Sequence, residues 1–232
     1  MSPQLKLWVA ASILASICLS PLSASTPARD KTETISIRVS EGTTLGFDIS
    51  PDNRSIVIDL LGQLWLVPAA GGTARPITNA VRDVAEDLDP SFSPDGRRLV
   101  FRGERNGRTG LWLLPLDGGR LRQLTQLSNP DGYEGDAAWS PDGRTIAFTR
   151  DIPADRTNNR ARVTTIVLLD VGSGVTRDLS ITGLRDPLVS DPTWVNGGKE
   201  IGFVTRTPET PRGGRVWIVS TAGGPARPVT EE

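Results

Sequence analysis

Three aspartates, Asp89, Asp136 and Asp191, each stand three residues before an aromatic side chain, at Phe92, Trp139 and Trp194. Carboxylates held at one repeated position can converge from separate segments, and oxygen donors gathered in this way suit a hard cation such as calcium, or a basic peptide segment. The alternative is that each aspartate caps its own connection through a backbone hydrogen bond, the matched positions then following from repeat descent. Two such acids at the right separation could also serve glycoside chemistry, which needs no histidine. A second polar set lies in stretches rich in arginine. Its candidate binding-face residues are Arg105 and Arg108, then Arg150, Asp155, Arg156 and Arg160, and finally Arg212. Acidic residues are interspersed among them, so they form a mixed rim and not a stripe that tracks phosphates, and no nucleic-acid partner is expected.

What is missing narrows the chemistry further. The chain has no histidine, and its single cysteine, Cys18, lies in an apolar run near the N-terminus. Ser-His-Asp and Cys-His systems, histidine bases and the usual zinc, copper and haem sites are therefore excluded. No P-loop, dinucleotide fingerprint, metalloprotease helix or nucleophile elbow occurs either. No catalytic residue is assigned, and no cofactor is expected beyond the calcium alternative at the aspartates.

The segment "LWVAASILASICL" after Lys6, followed by Pro21 and small residues, reads as a secretory signal peptide spanning 1–25. The alternative is an N-terminal anchor. A lipoprotein signal is set aside because Ile17, not a small residue, precedes Cys18. The expected location is the bacterial periplasm or the exterior, with no integral span once the signal is removed. Without disulfides, stability must come from a core.

The elements that position these residues recur. "FDISPDNRSIVI" begins at Phe47, "PSFSPDGRRLVF" at Pro90, "AAWSPDGRTIAF" at Ala137 and a divergent "PTWVNGGKEIGF" at Pro192. A second block follows each: "WLVPAAGGTARPIT" from Trp65, "WLLPLDGGRLRQLT" from Trp112, "VLLDVGSGVTRDLS" from Val167 and "WIVSTAGGPARPVT" from Trp217. Each unit reads as four strands, A to D, with a Pro-Asp-Gly turn between A and B that requires a positive φ at its last position. Strands B and C are apolar on both faces, so their sheets are covered on both sides. Arg75, Arg122, Arg177 and Arg227 fall at one position of the polar strand D, where charge discourages edge pairing. Repeated four-stranded antiparallel sheets buried on both faces are the blades of an all-β propeller, with the aromatics packing between blades. The repeats span 45–79, 83–126, 134–181 and 189–230, after an N-terminal segment, 26–44, that holds a possible closing strand from Thr34.

Spacing separates the two ends of such a propeller. From Thr78 to Ser93, Thr125 to Ser140 and Ser180 to Val195 the interval is 15 residues, whereas the B to C connection varies from "DLLGQ" to "RDIPADRTNNRAR". The face carrying the B to C and D to A connections is thus the variable one. It is the expected binding surface, and the Pro-Asp-Gly turns lie on the standardised face opposite.

The signature aromatic-Ser-Pro-Asp-Gly, with a later Leu-Trp, Gly-Gly and closing Leu-Thr, resembles the WD-like repeat of TolB-type β-propellers and covers Leu45 to Thr230. The resemblance implies a six-bladed, non-catalytic protein-interaction platform in the bacterial envelope, or a propeller in front of a hydrolase domain. The first unit is most similar to propellers that precede amidohydrolase domains. Prolyl-oligopeptidase-type propellers are a looser match. Only four units are present, and the expectation is that the sequence is the front part of a longer protein, because a terminal blade would otherwise expose an apolar face.

Overall fold

The computed structural model describes residues 45–79, 85–105, 108–127, 131–155, 158–184, 188–206 and 214–229. They belong to one unit, Glu41–Glu232. The signal peptide, its anchor alternative, the strand from Thr34, Arg156 and Arg212 lie outside the described residues, as do the side chains of Arg108, Asp155 and Arg160.

The Ser-Pro-Asp turns explain where strands A and B separate. The Ser50, Ser93 and Ser140 hydroxyls donate to Asp52, Asp95 and Asp142 at 2.6, 2.5 and 2.6 Å. The same hydroxyl oxygens accept the backbone N–H of Ser55, Arg98 and Thr145, and each aspartate accepts one N–H two residues on. Each turn therefore satisfies its own polar groups before any blade packs. Gly96 and Gly143 close it with φ of 68° and 67°, and Asn53 does so at 58°, as the turn chemistry requires.

Strands then follow in chain order. The first blade holds β1 (Phe47–Ile49), β2 (Ser55–Leu60), β3 (Gln63–Pro68) and β4 (Arg75–Pro76), and the second β5 (Ala85–Phe92), β6 (Arg98–Arg105), β7 (Arg108–Pro115) and β8 (Arg122–Gln123). The third holds β9 (Tyr133–Trp139), β10 (Thr145–Asp155), β11 (Asn158–Asp170) and β12 (Thr176–Asp178). After β13 (Ile181–Thr182) come β14 (Leu188–Val195), β15 (Glu200–Arg206), β16 (Gly214–Ser220), β17 (Gly224–Pro225) and β18 (Arg227–Pro228). The fourth blade is β14-β15-β16-β18; β13 and β17 form a separate parallel pair.

All four blades are antiparallel meanders in a propeller arrangement, and the A strands β1, β5, β9 and β14 neighbour one another in sequence order. The core lies between blades, as the two-sided apolar pattern demands. Val57 and Leu64 of the first blade pack with Phe92, Leu99 and Phe101 of the second. Val100, Leu111 and Leu113 then meet Trp139, Ile146 and Phe148, and Ala147, Ile166 and Leu168 meet Ile201, Phe203 and Val219. The B strands β6 and β10 thus each send one face backward and one forward. The first blade leaves Phe47 and Ile49 exposed on its other side.

Two expectations change. The B to C connections of the second and third units, read as loops, are strand for most of their length: β6 pairs with β7 as far as Arg105–Arg108, and β10 with β11 out to Asp155–Asn158. Polar cross-strand pairs such as Asp151 opposite Thr164 carry the ladder past the apolar core. The strand D arginines also do more than guard an edge. Arg122 donates to the Val171 carbonyl at 3.0 Å and Arg177 to the Thr221 carbonyl at 2.6 Å, each clamping the next blade.

Candidate functional site

The repeated aspartates sit where each A strand breaks register with its B strand, between Leu88 and Ser91 in β5 and between Ser190 and Thr193 in β14, with the matching shift in the third blade. Asp89, Asp136 and Asp191 have φ of 52°, 52° and 54°. Among residues with a side chain, aspartate and asparagine enter this left-handed region at least cost, which gives the position a backbone reason to be aspartate.

Of the three, Asp136 bonds to the next blade, whereas Asp89 and Asp191 pair with arginines of their own blades. The Asp136 carboxylate accepts the backbone N–H of Asp191, one blade on. In the first blade the matching residue is Gly46, and the same service comes from strand B. Asp59, 3% exposed, accepts the Gly46 N–H at 2.9 Å and the Asp89 N–H at 2.8 Å. A Cβ at Gly46 would lie 2.5 Å from the Asp59 carboxylate, so a side chain at position 46 and Asp59 exclude each other.

Charge balance differs along the row. Asp89 pairs with Arg102 at 3.0 Å and Asp191 with Arg206 at 3.2 Å. Burial, then the Asp191 and Asp89 charges, raises the Asp136 carboxyl above the ordinary carboxylate range. Tyr133, stacked under Arg102 at 5.1 Å, is pushed up to about 12, chiefly by burial and then by Asp136. Among the described residues no three His, Cys, Asp or Glu side chains come together as a metal-binding group. Asp136 thus joins the third blade to the fourth, as Asp59 joins the first to the second.

The candidate arginines divide. Arg105 turns inward: it pairs with fully buried Asp87 at 2.8 Å and stacks on Trp112 at 4.4 Å, so it is packing rather than binding surface. Arg150 holds buried Glu134 at 2.8 Å, whose other oxygen accepts the Thr125 hydroxyl, and reaches Asp178 at 3.4 Å. Sequence reasoning missed Asp59, although a carboxylate inside "SIVIDL" was a signal for it, and gave Asp87 and Glu134, in the acidic stretches "DVAEDLDP" and "NPDGYEGD", no role of their own. On the variable face, the arm formed by β10 and β11 rises over a cleft of about 310 Å³ between the third and fourth blades, lined by Arg162, Val163, Thr165, Leu179, Leu184 and Val189. Val163 is 50% exposed.

Comparison with known proteins follows from this geometry. A family model described as the TolB beta propeller domain matches residues 31–232. The chain superposes on a TolB-type protein from Agrobacterium tumefaciens with a TM-score of 0.62 and 22% identity, over 82% of this chain and 62% of that one. An oligogalacturonate lyase from Vibrio parahaemolyticus gives 0.59 and 14%, over 79% and 51%. Dipeptidyl peptidase 4 from Porphyromonas gingivalis gives 0.51 and 14%, over 75% and 31%. At these identities the likeness is one of fold, and the chain spans less than two thirds of each of these structures. No curated protein matches its sequence.

Proposed function

This chain belongs to the TolB β-propeller family, and from that premise we propose that it is an exported, non-catalytic scaffold that binds a protein or peptide on the face bearing the B to C hairpins. The observation that carries the reading is the long β10–β11 hairpin, whose exposed Val163 lines a cleft with Leu179, Leu184 and Val189, on the face whose connections vary from blade to blade. The absence of histidine from the sequence supports a non-catalytic role. Export to the bacterial periplasm rests on the N-terminal apolar segment and the family. Among the described residues no helix is long and apolar enough to cross a membrane.

A second reading has its own support. The lyase and the peptidase that share the fold have chains of which this one covers about half and a third. The chain would then be the propeller of a larger exported hydrolase, an amidohydrolase or, as a looser match, a prolyl-oligopeptidase-type peptidase.

A photoreactive group at position 163 tests the first reading. The expected result is one crosslinked envelope protein, lost when the arm beyond Ile152 and Val163 is replaced by a two-residue turn. Crosslinking unaffected by shortening the arm would overturn it. Hydrolysis of peptide or oligogalacturonate substrates by the purified chain would overturn its non-catalytic part.

A further inference from the structure

On the opposite face, where the A to B and C to D turns lie, successive blades meet along repeated grooves, and the second of these is filled from within. The Arg98 guanidinium lies over the Trp139 ring at 4.9 Å, pairs with Asp95 at 3.6 Å and donates to the Gly143 carbonyl at 3.4 Å. Trp139 is thereby reduced to 8% exposure, its indole N–H donating to the Ser91 carbonyl of the preceding blade.

The third groove, between the third and fourth blades, keeps every part of this arrangement except the guanidinium. Trp194 matches Trp139 and donates its indole N–H to Ala138 in the same way, at 3.0 Å. Asp142 matches Asp95, and Gly198 matches Gly143. The residue matching Arg98 is Thr145, too short to reach the ring. What remains is an open cavity of about 650 Å³ lined by Thr145, Leu168, Trp194, Asp142, Asp170 and Gly198, with Trp194 only partly buried.

A further difference adds negative charge. Asp170 stands where the other blades have Pro68, Pro115 and Ser220. Its Oδ1 accepts the Ser173 N–H and hydroxyl, and the Asp142 Oδ1 accepts the Ser140 hydroxyl and the Arg144 N–H. Asp95 divides its oxygens in this manner, Oδ1 to its own turn and Oδ2 to Arg98. Among the described residues Arg177 is the one cation lining the cavity, and it donates to the Thr221 carbonyl, while the Arg144 charge acts on Asp142 and Asp170 from beside it. Arg122, the counterpart of Arg177, makes the matching bond to Val171 beside the occupied groove, so that clamp is compatible with a guanidinium on the ring.

We propose that the groove between the third and fourth blades receives an arginine side chain from a partner protein segment, its guanidinium lying on the Trp194 indole and pairing with Asp142 and Asp170. The guanidinium suits the site because it stacks on an aromatic face and still presents donors at its edge. The cavity extends beyond the ring, which leaves room for the chain that carries the arginine. This surface lies opposite the hairpin arm and does not depend on the function proposed for that arm.

The test uses a fluorescent Gly-Gly-Arg-Gly-Gly peptide, its citrulline analogue and free arginine amide, with binding read by anisotropy or competition. The arginine peptide should bind, and both the citrulline analogue and Asp170→Asn should weaken binding by about tenfold or more, as expected for loss of a charge-assisted contact. Thr145→Arg should fill the groove from inside, abolish binding and raise the melting temperature. Undiminished binding to a folded Thr145→Arg protein, or equal binding of the citrulline peptide, would overturn the proposal. No binding at about millimolar peptide, the weak end of specific affinity, does so too. Free arginine amide binding as tightly as the peptide would overturn the assignment to a protein segment. Should Thr145→Arg fail to fold, Asp170→Asn decides, because asparagine retains the oxygen that holds the Ser173 turn.

Discussion

Asp59→Asn isolates the inter-blade carboxylate from every apolar contact. Asp59 is 3% exposed and spends its two oxygens on two backbone N–H groups, Gly46 at 2.9 Å in its own blade and Asp89 at 2.8 Å in the next. Asparagine has the same shape but one oxygen, so one N–H must face an amide that also donates. A charge-assisted hydrogen bond contributes about 1.5–3 kcal/mol and an orphaned buried donor costs about 1–3, which together give a loss of about 2.5–6 kcal/mol. With a urea m-value of about 1–3 kcal/mol/M, the unfolding midpoint followed by tryptophan fluorescence should fall by about 1 M or more, without a change in slope. Asp59→Ala should cost more, because both N–H groups lose their acceptor. A fall below about 0.3 M, within the extrapolation error for such curves, would refute the view that these carboxylates hold the blades together. So would an alanine variant more stable than the asparagine one.

Three further outcomes follow from the same contacts. Because the folded state raises the Asp136 carboxyl, its ionisation opposes folding: the penalty is absent below the unfolded value of 3.8 and develops as pH rises through the raised folded value. Asp136→Asn should therefore melt higher than the parent at pH 7, with the gap closing as pH approaches 3.8, and a gap that widens on acidification contradicts the shift. Arg105→Met should destabilise by about 3–5 kcal/mol in urea unfolding, because Asp87 is left charged and buried, whereas Arg105→Met with Asp87→Leu should recover most of that loss. Equal losses in the single and double variants would mean that the arginine acts through packing alone. Ser93→Ala removes a buried hydroxyl that bridges Asp95 and the Arg98 N–H, and about 1–2 kcal/mol should be lost in the same assay.

The blades were legible in the sequence because their signals are local. A Ser-Pro-Asp-Gly turn satisfies itself, and two-sided apolar strands of fixed length can be buried only between sheets. The β10–β11 arm was not legible as strand: Asp151 and Arg162 break the apolar pattern, yet the backbone ladder continues on polar pairs and on an ion pair between these two side chains at 2.7 Å. The destinations of the arginines were equally hidden. Arg102, Arg105 and Arg150 read alike in a list, but each is turned by a different carboxylate, half-exposed Asp89 or buried Asp87 or Glu134. Matched position also hid a difference: Asp89, Asp136 and Asp191 share a left-handed backbone, but Asp136 bonds to the next blade while Asp89 and Asp191 pair with Arg102 and Arg206 of their own.

In a repeat protein, shared residues describe what every interface must do, and departures mark where one interface is released from that duty. Gly46 departs where Asp59 makes the corresponding bond, so the joint is made by other atoms. Thr145 departs without any such replacement: among the described residues none covers Trp194 as Arg98 covers Trp139, and Asp170 adds a carboxylate at the uncovered edge. A lost packing residue alone would leave an apolar gap, which costs stability through the missing contacts. A lost guanidinium that leaves its aromatic floor and its carboxylate partner in position is different, because the remaining groups still prefer a cation. The turn face, standardised in spacing, is therefore differentiated in chemistry: the second groove is filled by Arg98, the third is open over Trp194, and the first, with Ser55 at the Arg98 position, is open over Phe92.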